Sequence, residues 1–205
     1  MKVLIIDDHA VLREGVRRLI STLPNVEILE AATAHEALTQ FRKHQPTVTI
    51  LDVNLGGSSG LELLQRLRSE SKSARIIMFT MHSEQTYALR AIRAGAMGYV
   101  SKSAPLDELL TAVKRVADGE KYLDRELASE LAFSPGASDD PMSNLSNREI
   151  EILRLLGEGK SLSQIASTFG IAYKTVANSC SRLKTKLGLE RTTDLIRVSL
   201  ESRAR

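Results

Sequence analysis

Apolar residues recur in two alternating rhythms along residues 1–120. Five short runs are dense in Val and Ile: KVLII (2–6), VEILEA (26–31), TVTIL (47–51), ARIIMF (74–79) and GYV (98–100). Short, near-continuous apolar runs of this kind suit parallel strands buried on both faces. Between them lie stripes at helical spacing. Leu12, Val16, Leu19, Ile20 and Leu23 form one, Leu61, Leu64 and Leu67 another. A third runs through Leu106, Leu109, Leu110, Val113 and Val116, with Pro105 suited to its first turn. Five βα repeats predict an α/β fold, a doubly wound five-stranded parallel sheet with right-handed crossovers. In such sheets the functional crevice lies at the carboxyl ends of the strands.

The rhythm stops at FSPGASDDPMSN (133–144), where Ser, Pro, Gly and Asp gather without an apolar period. Residues 121–142 are therefore assigned to a linker. Beyond it every signal is helical. Ser146 with Glu149, and Ser161 with Gln164, have the spacing of capping boxes. The first opens a helix through Ile150, Leu153, Leu155 and Leu156, closed by Gly157 and Gly159; the second leads to Ile165, Ala166 and Phe169. Gly170 breaks that helix, and a third carries Val176, Cys180, Leu183 and Leu187 before Gly188 ends it. Residues 192–204 read as a fourth helix, so 143–205 form a smaller all-α four-helix domain.

Composition narrows the function classes. The apolar share is 42% and the charged share 26%, ordinary for a globular chain. No apolar run approaches the roughly 18 residues a membrane span needs, and the start, MKVLIIDD, is too short an apolar run for a signal peptide. A cytoplasmic protein without membrane contact is the expectation. Cys180 is the sole cysteine, and His9, His35, His44 and His82 show no metal-ligand spacing. Basic and acidic side chains number 15 and 14 over residues 1–120, but 11 and 6 over 144–205. That surplus favours an anionic partner at the C-terminal end.

The chemistry gathers at the strand ends. Asp7 and Asp8 follow the first strand and Asp52 the third. If these strands are neighbours, three carboxylates converge and would repel strongly unless a hard divalent cation joined them. Oxygen ligands with room for water suit Mg²⁺. Two further strand ends bring a hydroxyl, Thr80, and an ammonium, Lys102. Acids, hydroxyl and ammonium around one crevice describe phosphoryl transfer, in which Asp52 is the nucleophile that forms an acyl phosphate. Taken singly, each acid reads as a helix cap, Thr80 as a turn residue and Lys102 as a solvated charge.

Together, Asp7, Asp8, Asp52, Thr80, Tyr99 and Lys102 make residues 1–120 resemble the receiver domain of bacterial two-component response regulators, a flavodoxin-like fold. The resemblance implies that a sensor histidine kinase donates its phosphoryl group to Asp52. It implies Mg²⁺ held by Asp7, Asp8, Asp52 and the backbone carbonyl of Asn54, phosphoryl oxygens bound by Thr80 and Lys102, and Tyr99 turning inward as Thr80 moves. Such a domain promotes its own phosphotransfer and dephosphorylation and is not an enzyme with a separate substrate. Two departures stand out. The loop VNLGGSSG after Asp52 lacks the usual Pro and has Gly56 and Gly57, which should loosen it. Ser103 follows Lys102 where many receivers have Pro.

LSNREIEILRLLGEGKSLSQIASTFGIAYKTVANSCSRLKTKLGL, in turn, resembles the helix-turn-helix domain of the LuxR/NarL/FixJ type across residues 143–205. The second helix of such a motif, here about 173–187, enters the major groove of double-stranded DNA. Lys174, Ala177, Asn178, Ser181 and Arg182 are the candidate DNA contacts, with Thr175 and Lys186 placed for phosphates. Ala177 and Ser179 stand where the family usually has a basic residue and His, so a basic contact to guanine from 177 is lost and Asn178 is suited to adenine. Leu195, Ile196 and Leu200 form a stripe that serves either the domain core or a homodimer contact formed on phosphorylation. The whole reads as a phosphorylation-controlled transcriptional regulator. Two alternatives compete with it. One is an aspartyl-phosphate phosphatase of the haloacid dehalogenase kind, which places D-x-D rather than adjacent acids at its first strand. The other is a phosphate-independent receiver with a protein-binding tail.

Overall fold

Alternating side chains along a strand point to opposite faces, so a strand that is apolar throughout demands cover on both sides. The computed structural model of the chain, which describes residues 1–55, 58–81, 85–123, 128 and 145–203, shows how that demand is met. Gly56, Gly57, His82 and the stretch 133–144 lie outside the described residues.

The elements run β1 (Lys2–Ile6), α1 (Ala10–Ile20), β2 (Glu27–Ala31), α2 (Ala34–His44) and β3 (Val48–Leu51). A small antiparallel pair follows, β4 (Asn54–Leu55) and β5 (Ser58–Ser59), and then α3 (Gly60–Glu70). The unit is completed by β6 (Ile76–Thr80), α4 (Gln85–Arg93), β7 (Gly98–Ser101), α5 (Leu106–Ala117) and β8 (Tyr122–Leu123). The main sheet has the order β2-β1-β3-β6-β7-β8, parallel throughout. Val3, Ile5, Val48, Ile50, Ile77, Phe79 and Val100 pack on one face against Val16 and Ile20 of α1 and Leu109, Val113 and Val116 of α5. The alternate set, including Leu4, Ile6, Leu51 and Met78, is equally buried and feeds the opposite face. The chain leaves β1 for β2 on one side and returns to β3 on the other. That reversal opens a crevice at the carboxyl ends of β1 and β3.

The expected doubly wound α/β architecture is present; among the described residues its main sheet has six strands rather than five. The additional strand, β8, falls inside the stretch assigned to the linker and pairs Tyr122 with Gly98 of β7. Two residues are too few to carry a period, and β8 instead covers an otherwise open sheet edge. The chain divides into two compact units, Met1–Ser134 and Pro135–Arg205.

Among its described residues the second unit has helices and no strand: α6 (Asn147–Gly157), α7 (Leu162–Phe169), α8 (Tyr173–Leu187) and α9 (Thr192–Arg203). Both capping boxes form, Ser146 with Glu149 and Ser161 with Gln164, each side chain bonding the other's backbone N–H. Gly170 and Gly188 end α7 and α8 at φ 62° and 66°, the left-handed conformation glycine adopts without strain. Gly157 has a different task. It is the last residue of α6, and a Cβ there would stand 2.1 Å from Ser199 Oγ on α9. Its missing side chain lets the two helices touch. Gly157→Ala is expected to cost about 1–3 kcal/mol by overpacking, despite alanine's better helix propensity. Urea unfolding of the full chain reads this out, and an unchanged midpoint for the second unit would show that the contact yields freely.

Candidate functional site

The crevice places three acids and one ammonium together. Asp7 leaves β1 with its backbone N–H bonded to Ala31 O of β2 at 3.2 Å, and Asp52 leaves β3 with its N–H on Ile6 O at 3.0 Å. These are continuations of the parallel ladders, so the sheet itself aims both carboxylates. Lys102, just past β7, is held by its own N–H on Thr80 O at 2.8 Å. Its Nζ lies 2.7 Å from Asp7 Oδ2 and 2.7 Å from Asp52 Oδ2. All three side chains are about 5% exposed, which makes this a buried, charge-assisted bridge rather than a surface pair.

Burial pushes the Asp52 carboxyl above the usual aspartate range, and neighbouring Asp7 adds to the rise; Lys102 and the backbone N–H of Asn54 pull it back. Asp7 Oδ1 accepts the His9 backbone N–H at 2.8 Å. Asp8 Oδ1 is buried and accepts no hydrogen bond, although His9 Nδ1 stands 2.9 Å away. Asp7, Asp8, His9 and Asp52 each offer a ligand atom within 4.8 Å of one another. Three carboxylates with an orphaned oxygen among them fit a hard cation that takes oxygen ligands.

Thr80 is fully buried at the end of β6, opposite Ser101 in register. Tyr99 is fully buried on β7, paired with Met78, so its ring already points inward. Asn54 is half-buried in β4, two residues past Asp52. Where Pro would follow Lys102, Ser103 closes the turn instead, its hydroxyl 2.7 Å from Ser101 Oγ and its N–H bonded to the same oxygen.

Two contributors were not foreseen from sequence. The His9 main chain holds Asp7 Oδ1, although the imidazole is the more conspicuous group. Arg13 on α1 bonds Asp7 O at 2.7 Å and Glu30 Oε2 at 3.0 Å, fastening the acidic strand end to β2. Neither has a signal in spacing, because both act on backbone atoms or across elements.

Gly60 completes the crevice. It opens α3 with its N–H on Val53 O at 2.6 Å, and a Cβ there would lie 1.9 Å from Asp52 O. Only glycine lets α3 approach the backbone that carries Asp52.

On α8, Lys174, Thr175, Asn178, Ser181, Arg182 and Lys186 are exposed and Ala177 is half-buried. Val176, Cys180 and Leu183 face the core as their spacing requires, and Ser179 turns inward to bond Thr175 O. Tyr173, at the first turn, is 56% exposed and was not among the candidate contacts. Lys186, expected at a DNA phosphate, has a carboxylate of its own chain close by. Its Nζ is 2.7 Å from Glu149 Oε2, the capping-box carboxylate of α6. Burial would raise that carboxyl, but Lys186 and Ser146 together hold it below the usual glutamate range. On α9 the expected stripe splits. Leu195 is fully buried and belongs to the domain core, which removes it from any dimer surface; Ile196 is half-buried and Leu200 is 52% exposed.

Comparison with known proteins matches both halves. Residues 3–114 match the response regulator receiver domain, and residues 143–199 match the luxR family of bacterial regulatory proteins. The DNA-binding transcriptional activator DevR/DosR of Mycobacterium tuberculosis is 40% identical over 197 residues, covering 94% of this chain and 91% of its own. The transcriptional activator protein ExaE of Pseudomonas putida is 34% identical over 207 residues, covering 98% and 97%. The crystal structure of a LuxR-family two-component response regulator from Aurantimonas sp. superposes with a TM-score of 0.62 at 38% identity, over 64% of this chain and 94% of that one. With an acid crevice at the switch point of its first unit and a helix-turn-helix in its second, the chain belongs to the LuxR-type two-component response regulators.

Proposed function

We propose that this regulator is switched by a phosphoryl group on Asp52, supplied by the phosphohistidine of a sensor kinase. The observation that carries the reading is Lys102, whose ammonium bridges Asp7 and Asp52 inside a buried crevice of the sheet. An Asp52 carboxylate oxygen attacks phosphorus, the P–N bond to histidine breaks, and an acyl phosphate results. Burial strips water from that carboxylate and raises its pKa, and Lys102, bonded to it at 2.7 Å, opposes that rise. Asp7, Asp8, Asp52 and the backbone carbonyl of Asn54 would hold Mg²⁺, which when bound neutralises the clustered acids and the phosphoryl oxygens. Lys102 then has a new anion to bond, and the Thr80 hydroxyl a phosphoryl oxygen. The domain promotes its own phosphorylation and dephosphorylation and acts on no separate substrate.

The output is DNA binding by α8, with Lys174, Thr175, Ala177, Asn178, Ser181 and Arg182 on the face that meets the major groove. Movement of Thr80 and Tyr99 biases a two-state receiver, favouring a homodimer to which Ile196 and Leu200 of α9 contribute. Among the described residues no helix is long and apolar enough to cross a membrane, and the proposed place of work is the cytoplasm, where kinase and chromosome meet. A mobility-shift titration of the full chain against genomic fragments tests the reading. Acetyl phosphate with Mg²⁺ should tighten binding, and the complex should weaken steeply with salt, the logarithm of affinity falling by about 0.9 per log unit for each phosphate contacted. A complex indifferent to salt would argue against phosphate contacts.

A further inference from the structure

Lys186 stands on the exposed side of the DNA-reading helix, where a lysine would ordinarily be counted as a phosphate contact. We infer that Lys186 is instead a positioning residue: bound to Glu149, it fixes the pitch of α8 and makes no contact with DNA. The inference rests on the DNA-binding reading of α8.

Glu149 Oε2 accepts two bonds of 2.7 Å, one from the Ser146 backbone N–H and one from Lys186 Nζ. The Glu149 side chain is 7% exposed, so drawing the ammonium away to a phosphate would strand a carboxylate with little water to replace it. Glu149 is itself locked to the start of α6, because Ser146 Oγ takes the Glu149 N–H in return. The bond therefore ties the last turn of α8 to a rigid corner of the domain. Lys186 also sits where the carbonyl end of a helix dipole favours a cation. Lys174 lies twelve residues away, a lever of about 18 Å at 1.5 Å per residue. A small tilt at Lys186 therefore becomes a displacement of the Lys174, Asn178 and Arg182 face. Lys184 is similarly occupied, its Nζ on Glu190 O at 3.3 Å. Lys174 and Arg182, by contrast, have no hydrogen-bond or ion-pair partner among the described residues, and they are the cations α8 has to offer DNA.

A clamp and a phosphate contact predict opposite results. The full chain, with acetyl phosphate present, is titrated against the genomic fragment it retains most tightly and against a random-sequence duplex, each over a range of salt. For Lys186→Met the clamp predicts loss of specific affinity on the order of tenfold, the scale of one misaligned base contact. Random-duplex affinity and the salt slope should stay unchanged. Lys186→Arg should restore specific binding. Equal losses on both duplexes, with the salt slope reduced by about one, would overturn the proposal, as would no change on either. Glu149→Gln covers the case in which Lys186→Met fails to fold. Under the clamp it too loses specific affinity, whereas a phosphate-binding lysine released from Glu149 would tighten binding to both duplexes. A wild-type chain that binds neither duplex in a salt-dependent manner fails the DNA-binding reading itself, a different outcome from any of these.

Discussion

Asp52→Asn is expected to abolish labelling by acetyl phosphate while leaving the receiver folded. The amide is nearly isosteric with the carboxylate but cannot act as the attacking oxygen anion, and no other carboxylate of the crevice has the same setting. Asp7 is bonded to Lys102 and to the His9 N–H, and Asp8 lies at the mouth of the crevice with its side chain 28% exposed. The same substitution should raise the melting temperature of the unphosphorylated receiver near pH 7. Burial sets the folded-state value of Asp52 above the unfolded one. Stability therefore declines as the pH climbs through the ordinary aspartate range, about 3.9, up to the raised folded value, and above that the cost is fully present. A neutral amide at this position does not carry it. Loss of labelling together with a rise in melting temperature would mark Asp52 as a group kept at a cost to stability for the sake of its chemistry. Undiminished labelling of the variant would sink the acyl-phosphate role.

Gly60→Ala is expected to be the most damaging single methyl in the receiver. The added Cβ would meet the Asp52 carbonyl oxygen at 1.9 Å and the Val53 Cα at 2.9 Å. Both are backbone atoms, fixed by the β3 ladder on one side and the Gly60 N–H to Val53 O bond on the other. No rotamer change can relieve the contact. Either α3 withdraws, opening space around buried Leu61 and Leu64, or the chain after Asp52 shifts and the carboxylate leaves Lys102. A loss of about 3 kcal/mol, the upper part of the overpacking range, is expected, together with impaired phosphorylation of whatever protein remains folded. Urea unfolding and acetyl-phosphate labelling measure the two effects; wild-type values for both would mean that this approach of α3 to Asp52 is not required.

The elements most legible from sequence were those whose burial leaves a dense pattern. β1, β3 and β6 are covered on both faces, so nearly every residue is apolar and each run stands out. α1, α3 and α5 bury Leu, Ile and Val in a regular stripe. α2 and α4 had no such stripe, because their buried positions are Ala37 with Phe41 and Tyr87 with Ala88 and Ala91. Alanine contributes little to a hydrophobic period even where it is fully buried. β8 has no signal in the sequence, because it is a two-residue strand defined by its pairing with β7 and has no periodicity of its own.

The same distinction runs through the functional residues. Sequence alone determined the repeating βα order, the helical second domain, the strand-end positions of Asp7, Asp8, Asp52, Thr80 and Lys102, and the capping chemistry of α6 and α7. These follow from local rules: an unbroken apolar run for a strand buried on both faces, a period of 3.6 for a helix, and the reach of a side chain to backbone three residues away. Tertiary structure alone decided which charge meets which. Lys102 reaches partners 95 and 50 positions earlier in the chain, and Lys186 finds Glu149 across 37. Arg13 takes the Asp7 carbonyl, and Gly60 leaves the space that Asp52 needs. An ammonium on a flexible stem reads the same in sequence whether it faces phosphate or a buried carboxylate; only the packing of distant elements brings one of them within 2.7 Å.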